Sequence, residues 1–365
     1  MTVSISGTGG ITFNDSSVQN TAATGFGFKN RIINSAMVID QRNAGASVTP
    51  TVSVYTLDRW RAVCSVTSKF SVQRNAGAIT PPVGFQNYLG VTSLAATSLG
   101  ASDQYRIDHA IEGFNVSDLD FGTANATAVT LSFRVYSSLT GSFGALLCNG
   151  AFNRNYPFSF SIPVANTWTT ITVTIAGDTT GTWAKDNSAG MYVSFSLGVG
   201  SSLVGTANAW TASSVLAPTG SVSVVGTNGA TFYITGVQLE KGSTATSFDY
   251  RPYGTELVLC QRYAFKSVAT AEGDFGSGAC TGGGAQTTFS FPVIMRTAPT
   301  ATFSAAANFV LADGLGGYSC TGISLINSTA SQATTLGTAA GTTGGRGALL
   351  RWNTGTAFIL LNSEL

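Results

Sequence analysis

The chain has 365 residues, a formal net charge of +1 and only 10% charged residues, against roughly 25% in typical globular proteins. Ser, Thr, Asn and 43 glycines fill the polar positions instead, which favours tightly turned β structure over a disordered polyampholyte. Because no block of Lys or Arg is present and no apolar run reaches about 18 residues, nothing indicates nucleic-acid binding, anionic-membrane binding or a transmembrane helix.

Residues 1–28 form a short segment rich in Gly, Thr and Ser. It contains too few large apolar residues to build a core of its own, so we expect it to pair with other chains. The start, MTVSISGTGGITF, lacks the basic residues and apolar core of a signal peptide, and we therefore expect synthesis in a cytoplasm.

Residues 29–250 carry a succession of strand patterns separated by turns such as AGDTTG and GTNGA. In the stretch MYVSFSLGV, alternation places five apolar side chains on one face: Met191, Val193, Phe195, Leu197 and Val199. VTLSFRVYS and TTITVTIAG repeat this pattern, and no helical period runs for three turns. The pattern predicts an all-β fold in which two antiparallel sheets pack face to face as a jelly-roll β-sandwich.

The stretch from Thr231 to Lys266 marks a boundary between two domains. Its apolar residues change parity at Thr235-Gly236, which predicts a bulge in a strand that ends near Glu240. An irregular segment follows, in which we expect large side chains to pack the jelly-roll against the next domain: Tyr250, Pro252 and Tyr253. Thr255 is a candidate N-cap for a short helical turn within a linker over 251–262.

Residues 263–365 restart the alternation with TTFSFPVIM and close with a hairpin, ALLRW before the NTGT turn and AFILLNSEL after it. This pattern predicts a smaller C-terminal β-sandwich. Its loops offer a candidate receptor-contact set: Asp313, Tyr318, Arg346 and Trp352.

Three parts of the sequence resemble one family. ITGVQLEKGSTATSFDYRPYGTELVLCQRY resembles the junction in tail-fibre and receptor-binding proteins of tailed bacteriophages, where a jelly-roll similar to carbohydrate-binding modules ends. The opening KNRIINSAMVIDQRNAGA and the motif Asp58-Arg59-Trp60 resemble the start of that jelly-roll, and Trp60 is predicted to be a buried anchor. MRTAPTATF and the ending AFILLNSEL resemble the C-terminal β domain of fibre proteins.

This resemblance implies a homotrimer located in the virion tail and assembled in the host cytoplasm. Residues 1–28 would attach it to other tail proteins, and the rest would bind a host-surface glycan or protein receptor without catalysis, cofactor, nucleic acid or membrane insertion. Two alternatives remain open: a purely structural tail, baseplate or capsid-decoration protein, and a polysaccharide depolymerase.

Glycan sites combine aromatic faces with hydrogen-bonding side chains, and the candidate aromatic residues are Trp183, Trp210 and Tyr156. Trp183 and Trp210 lie in polar, loop-like stretches and are the two expected to be exposed, although core packing is the alternative for each tryptophan. Asp118 and Asp120 in SDLDFG would share a strand face about 6 to 7 Å apart. Such a pair suits a glycosidase, a calcium-binding edge or an ordinary solvent-facing loop.

The sequence shows no motif for nucleophilic catalysis, zinc binding or phosphate binding. His109 is the only histidine, and YRIDHAIEGF shows no nucleophile elbow, so a structural or surface histidine is expected. The five cysteines are scattered without a CxxC pair, which predicts buried reduced thiols and no zinc site. The glycine-rich runs lack the Lys-Ser/Thr of a P-loop.

Overall fold

The computed structural model describes residues 28–269 and 273–365, together with the backbone of three short strands near the N-terminus. These strands form an antiparallel sheet in the order β1-β2-β3: β1 (Ser4–Ser6), β2 (Gly10–Thr12) and β3 (Val18–Gln19). The rest of the predicted attachment segment, residues 1–28, lies almost entirely outside the described residues. No helix in the described part is long and apolar enough to cross a membrane.

Thirteen strands build the first sandwich. In chain order they are β4 (Ser53–Leu57), β5 (Trp60–Cys64), β6 (Phe70–Arg74), β7 (Leu89–Ser93), β8 (Gln104–Glu112), β9 (Val129–Ser137), β10 (Gly141–Asn149), β11 (Asn155–Ile162), β12 (Thr169–Ile175), β13 (Ala189–Val199), β14 (Val204–Gly205), β15 (Ala217–Pro218) and β16 (Thr231–Lys241). Short 3₁₀ turns lie at Ala76–Ala78, Gly113–Asn115, Ser117–Leu119 and Ser201–Leu203.

Eleven of these strands form a six-stranded sheet, β11-β10-β13-β8-β5-β4, and a five-stranded sheet, β12-β9-β16-β7-β6, and the other two form a separate parallel pair, β14-β15. Alternate residues face the space between the sheets, where Trp60, Phe133 and Phe195 are fully buried in one continuous core. The all-β jelly-roll sandwich predicted from the alternation is confirmed, as is the burial of Trp60. The Asp58 beside it accepts hydrogen bonds from the Gln41 backbone N and Nε2, each 2.7 Å long.

Strand β16 contains the irregularity that the parity change predicted. Its pairing with β9 shifts register between Thr235 and Gln238, and Gly236 in this stretch has φ of +60°. A Cβ at Gly236 would lie 2.5 Å from the Phe85 ring, so only glycine fits the bulge.

After β16 the chain forms one helix, α1 (Tyr253–Gln261), which begins two residues earlier than the predicted N-cap. Thr255 lies inside the helix, and Pro252 occupies the N-cap position without a side-chain capping bond. Helix starts of this kind are poorly marked in sequence because proline also suits the first turn.

The C-terminal part is a second sandwich, which we call the tip domain (residues 264–362). Its strands are β17 (Ala264–Val268), β18 (Asp274–Cys280), β19 (Gly284–Ser290), β20 (Thr300–Phe303), β21 (Phe309–Ala312), β22 (Gly317–Ser319), β23 (Gly322–Ser328), β24 (Gln332–Thr338), β25 (Gly347–Trp352) and β26 (Phe358–Asn362), with a 3₁₀ turn at Ala306–Asn308. They form a three-stranded sheet, β17-β26-β20, and a seven-stranded sheet, β22-β21-β25-β18-β19-β24-β23. Because β25 and β26 lie in different sheets, the predicted closing hairpin is wrong. A separate apolar core around Phe309 and Leu350 holds them together.

The last three residues of the chain join the tip domain to the jelly-roll, and we call them the C-terminal clasp (Ser363–Leu365). The Glu364 side chain is 3% exposed and pairs with Arg59 and with Arg42, the latter at 3.1 Å. Arg296 donates to the carbonyl oxygens of Ser363 and Glu364 at 2.7 and 2.8 Å. Burial acts to lower the pKa of Arg59, but the Glu364 carboxylate together with the neighbouring Tyr263, Tyr55 and Cys260 outweighs it and raises that pKa.

A second ionic contact lies beside the clasp. Glu112 of β8 accepts hydrogen bonds from Arg262 at 2.5 and 2.9 Å and from the Tyr263 hydroxyl at 2.6 Å. Burial alone would raise the pKa of Glu112, yet these hydrogen bonds hold it below its ordinary value. The seam between the two sandwiches is therefore held by buried charges that are paired.

The prediction that Tyr250, Pro252 and Tyr253 fix the jelly-roll against the tip domain is wrong. Tyr253 is 63% exposed, and Pro252 is also exposed. Tyr250 packs with Phe248 and Phe85, and its hydroxyl donates to the Gly84 carbonyl at 2.9 Å, so it supports only the jelly-roll. Large aromatic residues resembled domain anchors in the sequence, but the ion-paired cluster takes that role.

The single histidine and the cysteines behave as expected for structural residues. His109 is fully buried beneath Trp60, with Nε2 2.9 Å from the Ile33 carbonyl oxygen. Burial and the nearby Arg59 charge hold its pKa well below the ordinary value. All five cysteines are free and buried, and no disulfide forms among them in the described residues.

Candidate functional site

The candidate site lies on the outer face of the six-stranded sheet, and we call it the Asp108 face. Cross-strand pairing sets Tyr55 opposite Arg61, Arg61 opposite Asp108, and Asp108 opposite Ser194. These residues alternate along their strands with core residues such as Trp60, so their side chains project away from the sandwich core. One row across four strands thus gathers polar groups on one surface.

Asp108 lies at the centre of this surface and is fully buried. Its Oδ2 accepts a hydrogen bond from Arg61 Nη2 at 2.9 Å and another from Arg106 Nη1. Its Oδ1 accepts from the Ser194 hydroxyl at 2.7 Å. A buried carboxylate needs this degree of pairing, because an unpaired charge removed from water costs on the order of several kcal/mol per ion.

Two guanidinium groups facing one carboxylate leave the cluster with an excess positive charge. Burial acts to lower the pKa of Arg61, but the Asp108 carboxylate together with the neighbouring Tyr192 and Tyr55 outweighs it and raises that pKa, so the charge is permanent at neutral pH. Arg106 is further fixed by Gln104, whose Oε1 accepts from Nε at 3.1 Å. Arg61 is the more accessible of the two, with its side chain 20% exposed against 9% for Arg106.

Aromatic rings flank the charged cluster. The Arg61 guanidinium lies 5.2 Å from the centre of the Tyr192 ring, and the Arg106 guanidinium lies 5.0 Å from that of Phe152. The Phe152 and Tyr192 rings are themselves 4.8 Å apart. Cation–π contacts of this kind hold the arginine planes in place while leaving other N–H groups free to donate.

The surface ends at the C-terminal clasp on one side. The Tyr55 hydroxyl donates to the carbonyl oxygen of Leu365 at 2.6 Å. On the other side, the segment 200–221 folds over β10 and β11, where Leu216 packs against Leu146 and Cys148. The Asp108 face is therefore bordered by the clasp at one margin and by this covering segment at the other.

The aromatic residues predicted for sugar stacking meet, but inside the sandwich. Trp183 is 7% exposed and Tyr156 is 9% exposed, so the expectation that Trp183 is exposed is wrong. Trp210 is half-buried, 5.6 Å from Trp183 and 5.2 Å from Tyr156 between ring centres, and Phe121 completes the cluster. Each indole N–H donates to a backbone carbonyl, which is typical of aromatic side chains used for packing.

The two aspartates predicted to form a carboxylate pair on a strand lie instead at a turn. Asp118 lies in the 3₁₀ turn Ser117–Leu119, and Asp120 follows it with φ of 56°, so they share no strand face. Asp118 pairs with Arg31 at 2.8 Å and Lys241 at 3.6 Å. The described residues contain no group of three or more His, Cys, Asp or Glu side chains that could hold a metal ion. Both aspartates bridge surface segments instead.

The tip domain brings three of its four predicted contact residues to one region. Arg346 Nε donates to the Asp313 carbonyl oxygen at 3.1 Å, and Tyr318 lies beside Gly341 on the same side. Hydrogen bonds from the backbone N–H groups of the adjoining turns, beginning with that of Leu315, hold the pKa of Asp313 below its ordinary value. Trp352 does not take part, because it is buried in the tip core at 6% exposure.

A groove of about 780 Å³ runs beside this region on the outer side of the seven-stranded sheet. Its lining includes the glycine-rich turn 314–317, in which Leu315 is 69% exposed, and Arg351 of the exposed Arg351–Asp274 ion pair. The groove offers few fixed polar side chains, so it is a less constrained site than the Asp108 face.

The sequence contained a signal for the Asp108 face. In QYRIDHAIE the apolar residues alternate with Arg106, Asp108 and Glu112, which predicts a polar outer row on a buried strand. The other parity of MYVSFSLGV supplies Tyr192 and Ser194 in the same way. What could not be read from sequence is the strand order that makes these rows adjacent.

Comparisons with known proteins yield structural similarities alone. No protein-family model matches the chain, and no curated protein matches it. The chain is similar to the enzymatically active domain of bacteriophage CBA120 tailspike protein 4, with 11% identity, a TM-score of 0.30 and coverage of 58% of this chain and 21% of that one.

Two further solved structures are matched over their whole length. A putative sugar binding protein from Bacteroides thetaiotaomicron VPI-5482 has 12% identity and a TM-score of 0.33, with coverage of 58% of this chain and 100% of that one. A family 11 carbohydrate-binding module from Clostridium thermocellum, in complex with a β-1,3-1,4-mixed-linked tetrasaccharide, has 12% identity and a TM-score of 0.29, with coverage of 56% and 100%. TM-scores this low do not establish a fold by comparison. The β-sandwich of this chain is therefore established by its own strand pairing.

Proposed function

We propose that this protein is a virion tail-fibre protein that binds a host cell-surface glycan through the Asp108 face, without catalysing a reaction. The observation that carries this proposal is the cluster on that face, in which Arg61 and Arg106 are fixed on the buried Asp108 carboxylate beside Tyr192 and Phe152.

The chemistry of this cluster suits a sugar. Planar guanidinium groups with free N–H donors bond hydroxyl or carboxylate oxygens, and the half-buried Phe152 ring presents apolar surface to the C–H face of a pyranose ring. Tyr192 is only 5% exposed and supports the plane of Arg61. Because Asp108 holds both arginines in place before any ligand arrives, little side-chain entropy is lost on binding. A site of this kind is small, so its affinity for one sugar chain is expected to be low.

The virion part of the proposal is supported by the resemblance of the domain junction to tail-fibre proteins. We propose a homotrimer, attached to other tail proteins through residues 1–28 and assembled in the host cytoplasm. Several copies on one particle would convert weak single sites into firm attachment, because each later contact forms at a high effective concentration. Sedimentation equilibrium of the purified chain tests the trimer, and a monomer at micromolar concentration would refute it.

A glycan array probed with the fluorescently labelled protein tests the binding site. We expect binding to one class of glycans, reduced at least tenfold by Arg61→Met, which keeps the apolar stem and removes the donors. Arg351→Met is the matched control, because it removes an arginine from an exposed ion pair in the tip domain and should leave binding unchanged. Equal loss in both variants, or no loss in either, would refute the assignment of this face.

The alternatives give distinct results in the same experiments. A purely structural tail protein would bind no glycan and no host surface fraction, yet would assemble into particles. A depolymerase would release new reducing ends from host polysaccharide. If such activity persisted in Asp118→Asn and Asp120→Asn variants, those carboxylates would not be its catalytic pair.

A further inference from the structure

A separate cavity opens next to the Asp108 face. It measures about 310 Å³ and lies between the end of β13, the covering segment 200–221 and Ser223. We call it the serine pocket, because its lining combines hydroxyl groups with small apolar side chains: Ser196, Ser201, Ser221, Leu99, Val199 and Val204. A register shift between Ser196 and Gly198 turns Val199 away from the core face predicted for it and into this lining.

A glycine on the neighbouring strand determines how closely one wall of the pocket approaches the sheet. Gly144 of β10 belongs to the strand next to β13, and a Cβ there would lie 2.5 Å from Ser221 Oγ and 2.9 Å from Pro218 Cδ. The missing side chain lets the covering segment approach the sheet closely. The Ser221 hydroxyl donates to the Pro218 carbonyl at 2.8 Å, which holds that turn in place.

Ser196 contributes the polar group that needs a partner. The residue is 3% exposed, and among the described residues its Oγ has no hydrogen-bond partner. A buried hydroxyl left unpaired costs about 1–3 kcal/mol, whereas most buried polar groups in proteins are satisfied. An incoming hydroxyl group could donate to Ser196 or accept from it and so recover this cost.

The pocket selects against charge. No ionised side chain belongs to its lining within the described part of the chain. Arg106, which is paired opposite Ser196, already donates to Gln104 and Asp108. A ligand carboxylate placed here would lose its water without gaining a cation, which is strongly unfavourable. The lining therefore fits a neutral molecule with several hydroxyls and an apolar face, as in a neutral pyranose.

The pocket and the Asp108 face are neighbours on one surface. Ser196 and Ser194 are two residues apart on β13, which separates their rows by about 7 Å. We infer that the serine pocket binds a neutral sugar unit of a glycan whose adjacent unit contacts Arg61 and Arg106, an inference that rests on the function proposed above. The glycan would thus be recognised as a pair of units, one neutral and one engaging the arginines.

Saturation-transfer NMR with free sugars tests the pocket independently of any host glycan. The probes are methyl α-glucopyranoside, methyl α-mannopyranoside, methyl β-galactopyranoside and glucuronic acid. We expect at least one neutral glycoside to give a transfer signal at millimolar concentration. Ser201→Trp, at an exposed position on the pocket lining, should reduce that signal at least fivefold by filling the space.

Two further variants complete the test. Ser196→Ala removes the unpaired hydroxyl with little change in volume and should also weaken the signal, while far-UV circular dichroism reports whether it folds. Ser214→Trp is the matched control, because Ser214 is exposed on the same covering segment but lines a different hollow. It should leave the signal intact.

The outcomes separate the two proposals. No neutral glycoside signal with the wild-type protein, a signal that survives Ser201→Trp, or equal binding of glucuronic acid in the pocket would overturn the neutral-sugar subsite. If any of these results is obtained and glycan-array binding still depends on Arg61, the proposed function stands. A neutral-sugar signal without array binding would instead retain the pocket and refute the host-glycan function.

Discussion

Removing the Glu364 carboxylate should weaken the attachment of the tip domain more than any other single change in charge. In Glu364→Gln, Arg59 and Arg42 keep their charges in a site where their side chains are only 1% and 8% exposed. Removing one partner of a buried ion pair costs about 3–5 kcal/mol, because the other charge remains desolvated. Here two arginines lose the same partner, and the remaining contacts, including the Tyr263 ring 3.5 Å from the Arg59 guanidinium, do not replace a carboxylate.

Urea denaturation followed by tryptophan fluorescence measures this loss. We expect Glu364→Gln to lower the free energy of unfolding by about 3–5 kcal/mol, or to split one transition into two as the tip domain separates. The control is Asp274→Asn, which breaks an exposed tip-domain pair whose side chains are 49% and 43% exposed and should cost at most about 1 kcal/mol. Similar small losses in both variants, with a single unchanged transition, would refute the clasp as the main interdomain contact.

Three other predictions follow from the same contacts. Glu112→Gln should remove an acid-dependent part of the stability. Because the folded pKa of Glu112 is depressed, that contribution is fully present above the ordinary carboxyl pKa of about 4.3 and is lost as the pH falls through the lower folded pKa, so the difference in urea midpoint between wild type and variant should shrink in acid; a difference independent of pH would contradict this. Tyr253→Ala should change the unfolding free energy by less than about 0.5 kcal/mol and leave protease resistance between 243 and 262 unaltered, because its side chain is 63% exposed; increased cleavage there would restore it as a domain anchor. Trp183→Ala should cost about 3–5 kcal/mol of stability, while Trp183→Phe should fold and bind glycans like the wild type; loss of binding by a stable Trp183→Phe would return this cluster to the site.

The sequence predicted the fold well where alternation carries the information. The strands around Phe195 and the bulge near Gly236 follow from side-chain parity, which responds directly to one buried face. The N-cap of α1 was predicted at Thr255, because threonine is a typical N-cap residue. The observed N-cap is Pro252, which makes no side-chain capping bond and so leaves no such signal in the sequence.

The candidate site was harder to predict because residue type alone does not show whether a side chain is buried or exposed. Trp183 and Trp210 looked accessible since they lie in polar stretches, yet tertiary packing gathers them into one cluster with Phe121. Arg61 and Asp108 are 47 residues apart in sequence and become partners only through the β5–β8 pairing. Long-range pairing of this kind is not encoded in any local pattern.

The position of the clasp also has a consequence for how this chain could diversify. The tip domain enters at Tyr263 and leaves at Ser363, and the Ser363 backbone N–H donates to the Tyr263 carbonyl at 2.8 Å. Its first and last strands are themselves paired, Ala264 opposite Asn362. A domain whose two ends meet in this way has the connectivity of an insertion, and insertions at such sites are well tolerated. Residues 264–362 therefore form a cassette: recombination could replace the whole tip domain, while α1 and the clasp kept the same contacts with the jelly-roll.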